Sequence, residues 1–210
     1  MKWIYLLRHA KAGRGDLSLD DQERNLSSQG RLDAARMGQY LAANQSPPDA
    51  VLCSESVRTR ETLSLLDLNI APANVFFEKT LYLADAKTLV ARLCDVPDNY
   101  QRILLIGHAP GLAELALRLV SSSSEKDGRL ANNLVTRFSP AAFALIESNA
   151  TAWDDLLFAP SKVQTFLTPD DIEAKQKTLS FNISAKISRA KGIVIRRLIC
   201  SDARSRASTT

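Results

Sequence analysis

Two histidines occur in this 210-residue chain, and each directly follows a short apolar run: "IYLLRH" ends at His9 and "ILLIGH" at His108. Imidazole can serve as nucleophile, acid or base near neutral pH. Arg8 adjoins His9, and "CSESVRTRET" places Arg58 and Arg60 just past a third apolar run. Arg24 lies in a polar stretch after the first histidine, where it could fold over the site. Arg8 abuts a segment that reads as buried strand, and a buried guanidinium needs an anionic partner. Its fork of donors suits phosphate oxygens. The link "GHAPG" (107–111) adds backbone amides and the positive end of a helix. Positive neighbours disfavour an imidazolium, so His9 is expected to be neutral near pH 7 with a free lone pair. Neutral imidazole is a competent covalent nucleophile. In phosphoryl transfer the protein mainly positions groups and neutralises charge, and Arg8, Arg58 and His108 could do so without a metal. No metal and no cofactor are expected.

These side chains can act together only if the right elements carry them to one edge. Apolar runs at 2–7, 49–54, 102–107, 141–147 and 162–167 read as strands, and 76–83 reads as extended. Helical periodicity starts near Ser28, where Ala34, Met37, Gly38 and Leu41 share a face. Further helices are expected over 56–68, over 84–96 with Asp85 as N-cap, and after Pro110 at a first helical position. The alternation implies an α/β fold, and ligands in open α/β sheets bind outside the carboxyl ends of the strands. If the strands ending at His9 and His108 are neighbours, both imidazoles meet in one crevice.

Composition narrows the class. The chain is 45% hydrophobic and 24% charged with formal net charge +4, ordinary for a globular protein. Cys53, Cys94 and Cys200 are far apart and form no C-x-x-C pair, so neither a disulfide framework nor a zinc site is expected. The apolar runs are too short for a signal h-region or a membrane span, and a cytoplasmic location is the expectation. Residues 1–170 are read as one domain. Residues 171–210 form a basic extension with the composition of a disordered tail, suited to an anionic partner. It lacks interleaved aromatics, so specific nucleic-acid recognition is not expected.

Three ordered motifs carry a family resemblance: "LLRHAKAG", the Ser54/Arg58/Thr62 pattern S-x-x-x-R-x-x-x-T, and "LLIGHAPGL". Together they resemble the histidine phosphatase superfamily. The "RHAKA" form, the pattern Asp21/Arg24/Leu26/Ser27/Gly30 and the closing "WDDL…FLTPDDI" resemble its SixA-type phosphohistidine phosphatase branch. The resemblance covers about residues 1–172 and implies a three-layer α/β/α fold with a mostly parallel sheet, as in phosphoglycerate mutases. It implies that His9 is phosphorylated, that Arg8, Arg58 and His108 bind the phosphoryl group, and that water completes a metal-free hydrolysis. Asp21 matches the polar-loop acid of that branch, with Asp85 and Glu23 as fallbacks.

Departures from the family pattern are Ala10 for Gly, Ala109 for Asn and Glu55 for Pro, the last placing a negative charge near the pocket. The mutase-type acid of an L-x-E segment has no counterpart, because Leu81-Tyr82-Leu83 ends in leucine. This argues against mutase activity, and the resemblance makes hydrolysis of phosphohistidine in a signalling protein the expected activity. A small phosphoester such as a sugar phosphate is the first alternative. A phosphate-binding module without catalysis is the second.

Overall fold

A computed structural model describes residues 1–13, 20–120, 132–134 and 136–178. The chain divides into two compact units, Met1–Pro169 and Asp170–Thr210. Everything proposed above as a site residue lies in the first. The expectations for the tail beyond residue 178 lie outside the described residues. Residues 170–178 are helical. No helix among the described residues is long and apolar enough to cross a membrane.

Six strands form one sheet: β1 (Lys2–Arg8), β2 (Ala50–Ser54), β3 (Val75–Glu78), β4 (Arg102–Gly107), β5 (Phe143–Ser148) and β6 (Ser161–Leu167). Their order is β3-β2-β4-β1-β5-β6. The first four strands in that order are parallel, and β5 and β6 run antiparallel to their neighbours. The central strands are buried on both faces, which explains why they read as continuous apolar runs rather than alternating ones.

Helices cover both faces: α1 (Ser28–Asn44), α2 (Val57–Leu66), α3 (Ala86–Cys94) and α4 (Gly111–Val120). The pairs α1/α2 and α3/α4 pack against each other. Ile4, Leu6, Leu52, Ile103 and Leu105 point to one side and share a core with Leu89 and Leu93 of α3 and Leu112, Leu115 and Leu119 of α4. Alternation sends Tyr5, Leu7, Cys53, Leu104 and Ile106 to the opposite face. This is the phosphoglycerate mutase-like α/β architecture. Full burial of each of those leucines stabilises the fold by roughly 1.5–3 kcal/mol, so the helical face, more than propensity, holds α4 in place.

Local signals explain the boundaries. Ser27 caps α1 by accepting a hydrogen bond from the Gly30 amide at 3.0 Å, and Asp85 caps α3 through the Thr88 amide at 2.8 Å. Two expectations need correction. The extended segment expected over 76–83 is a short edge strand that gives way to a 3-10 turn at Lys79–Leu81. Pro110 is not the first residue of α4: its carbonyl accepts from the Glu114 amide at 3.1 Å, which makes it the cap, and the helix begins at Gly111.

Candidate active site

The register of β1 against β4 pairs Arg8 with Gly107, so the next residues, His9 and His108, emerge side by side from adjacent strands. The His9 amide donates to the Gly107 carbonyl at 3.0 Å. The ring centroids of the two histidines are 5.1 Å apart. Strand β2 flanks β4 on its other side, and the first turn of α2 brings Arg58 between the rings. These three side chains form a buried floor: His9 is 9% exposed, Arg58 4% and His108 3%.

Arginine only donates, and this identifies the histidine tautomers. Arg58 Nε donates to His9 Nε2 at 3.3 Å, so that nitrogen carries a lone pair. His9 Nδ1 therefore holds the proton and donates it to the Ala10 carbonyl at 2.8 Å. Arg58 Nη2 donates to His108 Nδ1 at 3.5 Å, which leaves His108 Nε2–H to donate to Ser54 Oγ at 2.8 Å. Both rings are neutral. Burial is the main reason, and it pushes the pKa of His9 down to about 4 and that of His108 to about 3. For His9 the carbonyl bond opposes the shift, while Arg58 and Arg8 reinforce it.

The Ser54/Arg58/Thr62 spacing now has a mechanical meaning. Ser54, at the end of β2, holds His108. Thr62, one turn after Arg58, accepts from the Ala10 amide at 3.0 Å and donates to the Arg58 carbonyl at 2.6 Å. The motif thus links both histidine-bearing strands to one helix. Ser54 and Thr62 join the site as positioning residues beyond those expected from the sequence.

Arg8 is half-buried and donates through Nη1 to the Phe138 carbonyl at 2.7 Å. Its Nε is buried with no hydrogen-bond partner among the described residues. Burial, together with the nearby Arg58 charge, lowers its pKa. Two close guanidiniums, one with an unused donor, are an arrangement able to hold an anion.

Asp21 and Arg24 make an exposed rim. Arg24 bridges Asp21 Oδ1 at 2.9 Å and the Gly13 carbonyl at 2.8 Å. Leu26 is buried and bridges to Ala12, Ser27 accepts at its cap, and a Cβ at Gly30 would collide with the Lys11 carbonyl oxygen. The motif Asp21/Arg24/Leu26/Ser27/Gly30 is therefore a clamp that fixes this segment against the residues following His9. Asp21 reaches the floor: its Oδ2 accepts from Arg58 Nη2 at 2.9 Å, and its carbonyl from Arg58 Nη1 at 2.5 Å. Tyr82, not singled out from the sequence, donates its hydroxyl to the same Oδ2 at 2.5 Å. The Tyr82 and Arg24 bonds, followed by Arg58, hold the Asp21 carboxyl far below the usual carboxylate range. The shift is damped by solvent, because the Asp21 side chain is 49% exposed.

The alternatives for an acid are placed elsewhere. Asp85 is committed to capping α3, and Glu23 is exposed on the 3-10 turn Asp21–Glu23. Glu55 does not load the pocket with a free negative charge. It pairs with Arg60 at 3.1 Å, and the Arg60 guanidinium lies over the Phe77 ring at 4.3 Å. Among the described residues no group of three or more His, Cys, Asp and Glu is arranged to hold a metal ion.

Comparison with known proteins agrees with this architecture. Residues 4–81 match the profile of the histidine phosphatase superfamily (branch 1). An uncharacterized protein of Mycobacterium tuberculosis is 33% identical over 150 residues, covering 71% of this chain and 91% of that one. A solved structure from Nakamurella multipartitia, provisionally described as phosphohistidine phosphatase SixA, superposes with TM-score 0.72 at 28% identity over 80% of this chain and 96% of that one. The protein histidine phosphatase SixA complexed with tungstate shares the fold, with TM-score 0.65 at 18% identity over 81% and 99% of the two chains. The chain belongs to the histidine phosphatase superfamily.

Proposed function

We propose that this protein is a phosphatase that works through a covalent phosphohistidine on His9 and that its substrate is phosphohistidine in a protein. One observation carries the reading: the unprotonated Nε2 of His9 faces Arg58 beside His108, while Nδ1–H is locked on the Ala10 carbonyl. The lone pair of Nε2 attacks phosphorus, and the bond from phosphorus to the leaving group breaks with its electron pair. Arg58, Arg8 and His108 neutralise the charge that grows on the equatorial oxygens. The proton stays on Nδ1, hydrogen-bonded to the Ala10 carbonyl, and this bond stabilises the positive charge of the phosphorylated ring. Water then attacks phosphorus, the P–Nε2 bond breaks, and His9 leaves as the neutral imidazole it was.

The substrate class follows from the rim. A phosphoester oxygen leaves well only when an acid protonates it, and Asp21 at rest is an ionised carboxylate held by three donors. An imidazole leaving from phosphohistidine can be protonated beforehand by solvent, so P–N cleavage demands less of the enzyme. With its carboxylate engaged by Arg24, Arg58 and Tyr82, Asp21 is a weak base, and the proton of the attacking water leaves with the phosphate. The exposed rim also favours a protein surface over a small enclosed ligand. A sugar-phosphate reading draws support from the shared fold of a mycobacterial glucosyl-3-phosphoglycerate phosphatase (TM-score 0.55, 16% identity).

The test is rapid-quench labelling with a phosphohistidine protein, phosphoramidate and a panel of sugar phosphates. An acid-labile, base-stable phosphoenzyme is expected that His9→Ala lacks. Turnover should be faster on P–N than on P–O substrates. No phosphoenzyme on any substrate would overturn the mechanism, and faster sugar-phosphate turnover would overturn the substrate class.

A further inference from the structure

At rest the floor holds an anion of its own. All three nitrogens of the Arg58 guanidinium are engaged: Nε by His9, Nη1 by the Asp21 carbonyl, Nη2 by Asp21 Oδ2 and His108. A phosphoryl group that reaches His9 Nε2 needs this guanidinium, so one of its oxygens must take over from the Asp21 carboxylate. The groups that now bind Asp21 Oδ2 consequently report what will bind that oxygen. They are Arg58 Nη2 at 2.9 Å and the Tyr82 hydroxyl at 2.5 Å.

Tyr82 is held for such a task. Its ring stands edge-on to His108 with centroids 5.1 Å apart, and the Arg58 guanidinium carbon lies 5.5 Å from its ring centre. Its amide donates to the Lys79 carbonyl at 3.0 Å. The next residue, Leu83, is exposed and adopts φ 48°, an unfavourable left-handed conformation for a residue with a side chain. Ala84 then presses on Gly111 so closely that a Cβ there would collide with the Ala84 carbonyl oxygen. The turn carrying Tyr82 is thereby tied to the helix that starts just after His108.

We propose that Tyr82 is a phosphoryl-binding residue: its hydroxyl and Arg58 Nη2 jointly hold one anionic oxygen, the Asp21 carboxylate at rest and a phosphoryl oxygen of the substrate in turnover. Asp21 is then an internal competitor for the site as well as a neighbour of the reaction. The exchange releases Asp21 Oδ2 while Arg24 retains Oδ1. The inference rests on the phosphoryl chemistry proposed above.

Calorimetric titration with inorganic phosphate tests it on four proteins: wild type, Tyr82→Phe, Asp21→Ala and the double variant. Removing the internal competitor should tighten phosphate binding about tenfold in Asp21→Ala. Within that background, Tyr82→Phe should weaken it about tenfold, because a donor to a charged oxygen is lost while the ring remains. Equal phosphate affinity of Asp21→Ala and the double variant would mean that Tyr82 serves only to anchor Asp21, and would overturn the proposal alone. Weaker phosphate binding by Asp21→Ala than by wild type would overturn the displacement. Failure of all four proteins to bind phosphate would overturn the phosphoryl reading itself, and this one with it.

Discussion

Strand β1 carries a cation at each end, Lys2 fully buried and Arg8 half-buried, and the two are treated differently. Lys2 is fully buried and fully served. Its Nζ donates to the Asp98 carbonyl at 2.9 Å and the Tyr100 carbonyl at 3.1 Å, sits 3.1 Å from Asp98 Oδ1, and lies 5.1 Å from the centre of the Trp153 ring. Arg8 has one carbonyl partner, a buried Nε with none among the described residues, and a second guanidinium beside it. A buried charge without compensation is unfavourable, so a fold tolerates it only where another group brings the compensation. The Lys2 charge is met within the fold, and at the Arg8 end the phosphoryl group proposed above would supply the compensation. A cation in a strand is therefore not by itself a functional signal; its unmet hydrogen bonds are.

The largest expected effect lies at the Arg8 end. His9→Ala should lower turnover by on the order of 10^6-fold, as for a covalent nucleophile in other hydrolases, and leave the melting temperature nearly unchanged. Measurable turnover close to wild type would end the contrast between the two ends. Arg58→Ala should lower kcat/KM by roughly 10^2–10^3, corresponding to about 2.7–4 kcal/mol of transition-state stabilisation. Lysine should restore little, since a point charge cannot serve His9, His108 and a phosphoryl oxygen together. Arg60→Ala should be nearly silent, because that guanidinium pairs with Glu55 and covers Phe77.

Lys2→Ala sharpens the contrast from the other side. It leaves two carbonyls without their donor, and should lower stability by roughly 2 kcal/mol with kcat preserved. Chemical denaturation and a steady-state assay on the same preparation separate the two quantities. Loss of kcat in a protein that remains folded would show that the ends are coupled.

The pH profile is a smaller test of the floor. Protonation consumes the lone pair of His9, so kcat/KM should fall only as pH drops through about 4, the depressed pKa of His9. Between that point and the ordinary imidazole value of 6.5 activity should stay flat. An acid limb centred near 6.5 would mean that the free enzyme does not hold His9 neutral by burial. The smallest effects are expected from chelators and from truncation after residue 178. Both should leave small-phosphoramidate turnover unchanged, because the proposed chemistry rests on arginines and histidines within the first 108 residues. Activity lost to chelator and restored by a divalent ion, or turnover abolished by truncation, would reverse these readings.

Much of this was legible in the sequence because it is local. Apolar runs bounded by polar ones mark β1, β2 and β4, and the period of Ala34, Met37, Gly38 and Leu41 marks a helix face, since strand and helix repeat every two and 3.6 residues. The expected cap at Asp85 is a side chain bonding an amide three residues on. The motifs resemble a family for a related reason: Ser54 ends a strand, and Arg58 and Thr62 lie on successive turns of the helix that follows. The extended reading runs past the end of β3 because Leu81 and Tyr82 continue its apolar character, while the 3-10 turn at Lys79–Leu81 carries no sequence signal of its own.

Only the tertiary structure decided what crosses long stretches of chain. Sheet order placed β1 against β4, so that residues 9 and 108 met; no periodicity encodes a neighbour about a hundred residues away. The tautomers followed from Arg58 standing between the rings, and the neutrality of both histidines from their burial. Glu55 reads from the sequence as a charge near the pocket, and only the fold pairs it with Arg60; nothing in the sequence marks Tyr82 as the partner of Asp21. Their roles depend on which atoms lie within about 3 Å after folding, since hydrogen bonds act only at that range.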